Sequence, residues 1–318
     1  MSRLVRHLVL AQWQKNARDD AARKAAQSPP AGVAAERDLP YRDDGHPLHS
    51  LDVFYPEGTA GLLPVIVDIH GGGWVYGDKA LNEYFCMSLA ARGFCVVDPG
   101  YRLLPEADLK AQLQDVMAVL EWTGQHAGEH HGDVTRVAVT GDSAGAHLAS
   151  LAVAVGLNPE LCELYGVAPP GCPVHAVVLN HGAADLHARI APRVFQREYE
   201  QMLFGRQPAA SPLYRHSGLV ETADPATYPP VLVLTSPADG LYPLSQALVD
   251  HLHWRGFTYE VALPNVTAPG AARLGHVFNV LYPQWPESMA INDRLTAFIR
   301  RHLPVDNRVC HPGDSRDL

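Results

Sequence analysis

Short apolar runs alternate with longer segments of helical period along most of this chain. Residues 65–69, 94–97, 137–139, 176–179 and 231–234 are almost continuously apolar, the pattern of strands buried on both faces. Residues 49–55 alternate instead and read as an early, partly exposed strand, and 258–263 supply a late one. Between them, residues 82–92, 109–125, 144–155, 243–255 and 286–302 repeat apolar positions three and four apart, as helices covering a sheet do. This order predicts an α/β fold with a mostly parallel central sheet flanked by helices.

Two regions interrupt the alternation. Residues 1–35 open with Leu4, Val5, Leu8, Val9 and Trp13 at helical spacing and continue into an Ala, Pro and Ser-rich stretch from Ala25 to Ala35. They read as a helix packed on the body, followed by a linker. A lid or membrane-surface helix is the alternative reading of the same stripe. Residues 185–229 follow a strand and carry a helix-like segment over 190–204, so they read as a small helical cap insertion. The core is then 36–184 plus 230–305, with 306–318 as a tail.

Composition narrows the partners. A formal charge of −9 without a clustered basic stripe argues against nucleic acid, which leaves a small molecule as the expected ligand. Five dispersed cysteines without a C-x-x-C spacing suit a reduced, cytoplasmic protein. No stretch is long and apolar enough to suggest a stable membrane span, and the sequence leaves room for a homodimer. His126, His130 and His131 lie beside Gly128 and Gly132 in what reads as a helix-ending loop, a poor frame for a metal, and neither a metal nor a cofactor is expected.

The chemistry gathers in a few motifs. Gly141-Asp142-Ser143-Ala144-Gly145 lies between an apolar strand and a helix, the context in which a serine is pushed above a sheet as a nucleophile. His70-Gly71-Gly72-Gly73-Trp74 ends an earlier strand and suits backbone donation to an oxyanion, with Gly71, Gly72 and Ala144 as the expected donors. A dinucleotide fingerprint would need glycine where Tyr76 stands. A serine needs a histidine base, and the base a carboxylate. In the chain order Ser, acid, His, Asp239 follows the strand 231–234, and His276 is the late histidine that falls in a loop. Trp74, Tyr76, Phe195, Tyr199 and Tyr214 are candidates for an apolar substrate pocket.

Together these stretches resemble the α/β-hydrolase esterases and lipases of the hormone-sensitive-lipase type and their kynurenine-formamidase-like relatives. The resemblance rests on His70 to Trp74, Tyr101-Arg102-Leu103-Leu104-Pro105-Glu106, Gly141 to Gly145, Asp239 and His276. It departs at Leu104, where the family usually has alanine, and after Asp239, where Gly240-Leu241-Tyr242 replaces the common acid motif. It implies a serine esterase that cleaves small to medium carboxylic esters. An arylformamidase or other amidase is the alternative, and a ligand-binding relative without catalysis is the reading from a different class.

Overall fold

A computed structural model describes residues 3–182, 186, 193–267 and 270–305, without the side chains of 3–5, 193–195 and 271. In chain order the elements are α1 (Arg3–Ala25), β1 (Val33–Pro40), β2 (Ser50–Pro56), β3 (Leu63–Ile69), α2 (Glu83–Ala90), β4 (Cys95–Pro99), α3 (Leu109–His126), β5 (Gly132–Asp142), α4 (Ala144–Gly156), α5 (Pro159–Tyr165) and β6 (Val174–Asn180). There follow α6 (Arg193–Phe204), α7 (Leu219–Thr222), β7 (Val231–Leu234), α8 (Tyr242–Arg255), β8 (Tyr259–Ala262), α9 (Phe278–Leu281) and α10 (Pro286–His302). The eight strands form one sheet in the order β1-β2-β4-β3-β5-β6-β7-β8. The pairs β1/β2 and β2/β4 are antiparallel, and every later neighbour is parallel.

Strand alternation divides the apolar side chains between two cores. Val65, Val67 and Ile69 of β3 join Leu113 of α3 and Leu148 of α4 on one face, while Ile66 joins Phe85 of α2 and Phe298 of α10 on the other. The central strands are apolar over most of their buried length because helices cover both faces. Helix ends follow local chemistry: the Asp108 carboxylate accepts from Ala111 N at the start of α3, and Gly256 ends α8 in the left-handed conformation.

The parallel register brings the functional motifs to one edge. Ile69 is level with Gly141, Asp142 with Asn180, and Asn180 with Leu234. The chain therefore leaves β3 at His70, β5 at Ser143, β6 at His181 and β7 at Thr235 side by side, at the carboxyl ends where ligands of open α/β sheets bind.

Two local elements differ from the sequence reading. The stretch expected as linker to Ala35 is already strand from Val33, and β1 continues to Pro40. Only Val33 of β1 is buried, and the pairing slips between Glu36 and Leu39, so this edge strand has no clean alternation to read. Helix α5 was not expected either, although Asn158 caps it, accepting from Glu160 N and Leu161 N, and Pro159 occupies its first turn.

Candidate active site

Ser143 stands on the tight turn between β5 and α4 with φ 51° and ψ −115°, a conformation that costs energy for a residue with a side chain. Its neighbours hold it there. A Cβ on Gly141 would lie 2.6 Å from the Gly145 carbonyl carbon, and one on Gly145 would lie 1.9 Å from Ile69 O. Only glycine lets the elbow close against β3. Ser143 N donates to Asn180 O at 3.0 Å, tying the turn to β6.

His276 arrives from the loop after β8. Its Nε2 is 3.0 Å from Ser143 Oγ and its Nδ1 is 2.9 Å from Asp239 Oδ2. Asp239 is buried at the end of β7, with Oδ1 accepting from Leu241 N at 2.9 Å. Burial works against its ionisation, but N–H donors from His181, His276 and Leu241 outweigh that and hold the carboxyl below the usual carboxylate range. His276 itself is 37% exposed, so its outer edge is open to a ligand.

The glycine loop is braced from beneath. His70 is buried, which lowers its pKa to about 4 and keeps the ring neutral; Nδ1 donates to Gly71 O at 2.7 Å. Tyr101 stacks on that ring and donates to His70 O at 2.9 Å. Gly72 and Gly73 both adopt positive φ, 105° and 60°.

The expectation that Gly71 donates to an oxyanion is corrected: its N–H is already given to Asp142 Oδ1 at 2.8 Å. Gly72 and Gly73 are the loop residues that line the cavity at Ser143, and among the described residues neither N–H has a protein acceptor. Ala144 begins α4, where a backbone N–H has no partner within the helix.

That cavity, of about 330 Å³, is walled by Trp13, Tyr76, Leu81 and Val280 beside Ser143 and His276. Of the four expected pocket residues whose side chains are described, Trp74, Tyr76, Tyr199 and Tyr214, only Tyr76 lines it. Trp74 is buried and donates from Nε1 to His147 Nδ1 at 3.2 Å. Tyr199 sits behind the wall, edge-on to Trp74 and accepting from Trp13 Nε1. Tyr214 packs against Phe204, and the side chain of Phe195 lies outside the described residues.

The missed residue is Trp13. It stacks on Tyr76 at 5.2 Å, and a Cβ on Gly73 would lie 2.3 Å from its ring. Tyr76 in turn donates to Asp20 Oδ2 at 2.6 Å. Thus α1 supplies a wall of the cavity as well as packing on the body. The helical stripe was legible, but nothing in it gave the direction in which Trp13 points.

A family model, BD-FAE, matches residues 51–252, more than half of the chain. The chain belongs to the BD-FAE family. It is an α/β-hydrolase of the hormone-sensitive-lipase-like esterase type. Esterase B from Lactobacillus rhamnosis superposes with a TM-score of 0.88 at 33% identity, covering 94% of this chain and 95% of that one. The same enzyme inhibited by a C4-C4 SN3 tributyrin phosphonate gives a TM-score of 0.89, also at 33% identity, with 95% and 96% covered. Esterase LipC from Mycobacterium tuberculosis is 31% identical over 74% of this chain, which spans 61% of LipC. Carboxylesterase NlhH from the same organism is 38% identical over 35% of this chain, which spans 37% of NlhH. None of these relatives speaks for the arylformamidase reading.

Under the active-site edge, this BD-FAE member carries a buried polar layer that no sequence motif announced. Asn82 Nδ2 donates to Asp142 Oδ1 and to Asp68 Oδ2, at 2.7 and 2.8 Å. Burial raises the Asp142 pKa and lifts that of Asp68 to about 7, with the charge of Asp142 adding to the shift at Asp68. Asp68, Cys86 and Asp98 bring ligand atoms within 4.8 Å of one another. Burial pushes all three toward their protonated forms, the wrong state for ligating a cation. Among the described residues no helix is long and apolar enough to cross a membrane.

Proposed function

We propose that the protein hydrolyses small to medium carboxylic esters through an acyl-enzyme. The observation that carries this reading is the unbroken run from Ser143 Oγ through both ring nitrogens of His276 to Asp239 Oδ2. His276 Nε2 takes the hydroxyl proton as Oγ attacks the ester carbonyl, and Asp239 holds Nδ1–H so that the accepting nitrogen faces the serine. The negative charge that forms on the former carbonyl oxygen is met by the N–H groups of Gly72, Gly73 and Ala144. Collapse breaks the ester bond, and the leaving alkoxide takes the proton from Nε2. Water then repeats the sequence on the acyl-serine and restores the enzyme.

The cavity volume supports a short acyl group, because small-molecule sites span roughly 300–1,000 Å³ and this one is near the lower bound. The tributyrin phosphonate in esterase B points the same way. On this reading residues 185–229 together with α1 form the cap: Arg6 pairs with Glu198 at 2.7 Å, and Trp13 with Tyr199. The four described cysteines are unpaired and buried, which supports a cytoplasmic setting.

The test is a p-nitrophenyl ester series from acetate to dodecanoate. We expect kcat/KM to peak at butyrate or hexanoate and to fall toward the long chains; a maximum at dodecanoate would reject the short-acyl reading. Trp13→Ala removes an aromatic contact of about 0.5–1.5 kcal/mol, so KM for the butyrate should rise by up to about tenfold while kcat changes little. An unchanged KM would show that Trp13 does not face the bound ester.

A further inference from the structure

Asp239 serves two histidines. His181, the first residue beyond β6, is buried and sits 2.7 Å through Nδ1 from the same Oδ2 that faces His276 Nδ1 at 2.9 Å. The two rings meet edge to face with centroids 5.8 Å apart, and Phe278 also meets His181 edge to face at 5.7 Å. The backbone pins it as well: His181 N donates to Leu234 O at 2.7 Å, and φ is 54°. A residue with a side chain held in that region implies that the surrounding structure demands its position.

We propose that His181 is a positioning residue that shares Asp239 Oδ2 with His276, and so fixes how the base is held and how strongly its protonated form is stabilised. The inference rests on the triad reading above. A carboxylate only accepts, so Nδ1 of each ring is the donor. In His181 the proton must sit on Nδ1, which leaves Nε2 bare, and among the described residues Nε2 is buried with no partner. A second proton there would be an unpaired donor and an extra charge in the interior. Burial accordingly lowers the His181 pKa, Asp239 opposes that shift, and His276 adds to it.

The consequence for catalysis has a definite sign. Oδ2 divides its negative charge between two N–H donors, and Oδ1 is engaged by Leu241 N. Protonated His276 therefore receives less stabilisation from Oδ2 than an unshared carboxylate would give, and removing His181 should strengthen that pairing. The groups that act on it are Asp239, His181 beyond it, and Asp142 beneath the elbow, whose charge is coupled to His276. His181 does not line the cavity, so its effect should fall on kcat and on the pH profile and leave KM alone.

The experiment follows kcat/KM for p-nitrophenyl butyrate between about pH 5 and 9 in full-length wild type, His181→Leu and His181→Asn, with active sites counted by an alkyl phosphonate. His181→Leu should lose roughly tenfold in kcat, less than the roughly 100-fold at which general-base contributions begin. Its acid limb should move upward by on the order of one pH unit. His181→Asn offers an N–H near the place of Nδ1–H and should recover most of the rate and the wild-type midpoint. An acid limb in His181→Leu that superimposes on wild type, or one that moves equally in both variants, would overturn the proposal.

A measurement on the wild type covers the case in which His181→Leu does not fold. Two low-field imidazole N–H resonances should arise from rings bonded to Asp239, one of them lost in His181→Asn; a single resonance in the wild type also overturns the sharing. Ser143→Ala separates the two levels of the argument. If that variant is still active, the triad reading fails. If it is inactive and the His181→Leu profile is unchanged, only the role of His181 fails.

Discussion

Ser143→Ala is expected to lower kcat for p-nitrophenyl butyrate by a factor on the order of 10⁶, the scale seen when a triad serine is removed from an intact site. The size follows from what the hydroxyl does: without Oγ there is no acyl-enzyme, and His276 has no proton to take. The residual rate should still exceed that in water, because Gly72, Gly73 and Ala144 would continue to face a developing oxyanion. Stability should change little, since Ser143 N, not Oγ, makes the bond to Asn180 that holds the elbow. Loss of labelling by an alkyl phosphonate would accompany loss of turnover. A variant that keeps wild-type kcat, or is labelled elsewhere, would remove Ser143 from the mechanism.

Asp239→Asn should cost about 10⁴ in kcat, as in triads where the carboxylate becomes an amide and the histidine tautomer is no longer enforced. Here the amide meets two rings that both donate toward one oxygen. If its oxygen takes Oδ2's place, it carries no charge to stabilise protonated His276. If its nitrogen does, two donors collide. The same substitution should alter acid stability. Folding depresses the pKa of Asp239, so its contribution is fully present above the unfolded value near 3.9 and is lost as pH falls through the folded value. Thermal melts of the wild type between about pH 2 and 6 should steepen relative to Asp239→Asn; parallel curves would show that Asp239 holds no such energy.

Some of this was legible without coordinates because it is carried by local pattern. Continuous apolar runs at β3, β4, β5, β6 and β7 follow from burial on two faces, and the regular helices between them predict a mostly parallel sheet. Gly141 and Gly145 flank Ser143 because no side chain fits between β3 and the elbow. Asp239 and His276 could be chosen by chain order and by the loops that hold them. Edge strand β1 escaped because a strand with one buried residue has no alternation to detect.

What remained depended on where separate segments meet. Gly71, Gly72 and Gly73 are indistinguishable as letters, and only the fold aims the Asp142 carboxylate at the first of them. Trp13 and Trp74 are both plausible pocket aromatics; packing turned Trp74 inward to His147 and brought Trp13, some sixty positions away, onto Tyr76 and Gly73. His181 precedes the acid in sequence and fits no motif, yet the register of β6 with β7 delivers it to Asp239. Sequence alone determined the strand and helix order and offered the residue types of a candidate nucleophile, base and acid, because periodicity and glycine placement are local demands. The tertiary structure decided which N–H groups are free, which ring walls the cavity and which histidine shares the carboxylate, because those depend on direction and distance across the sheet edge.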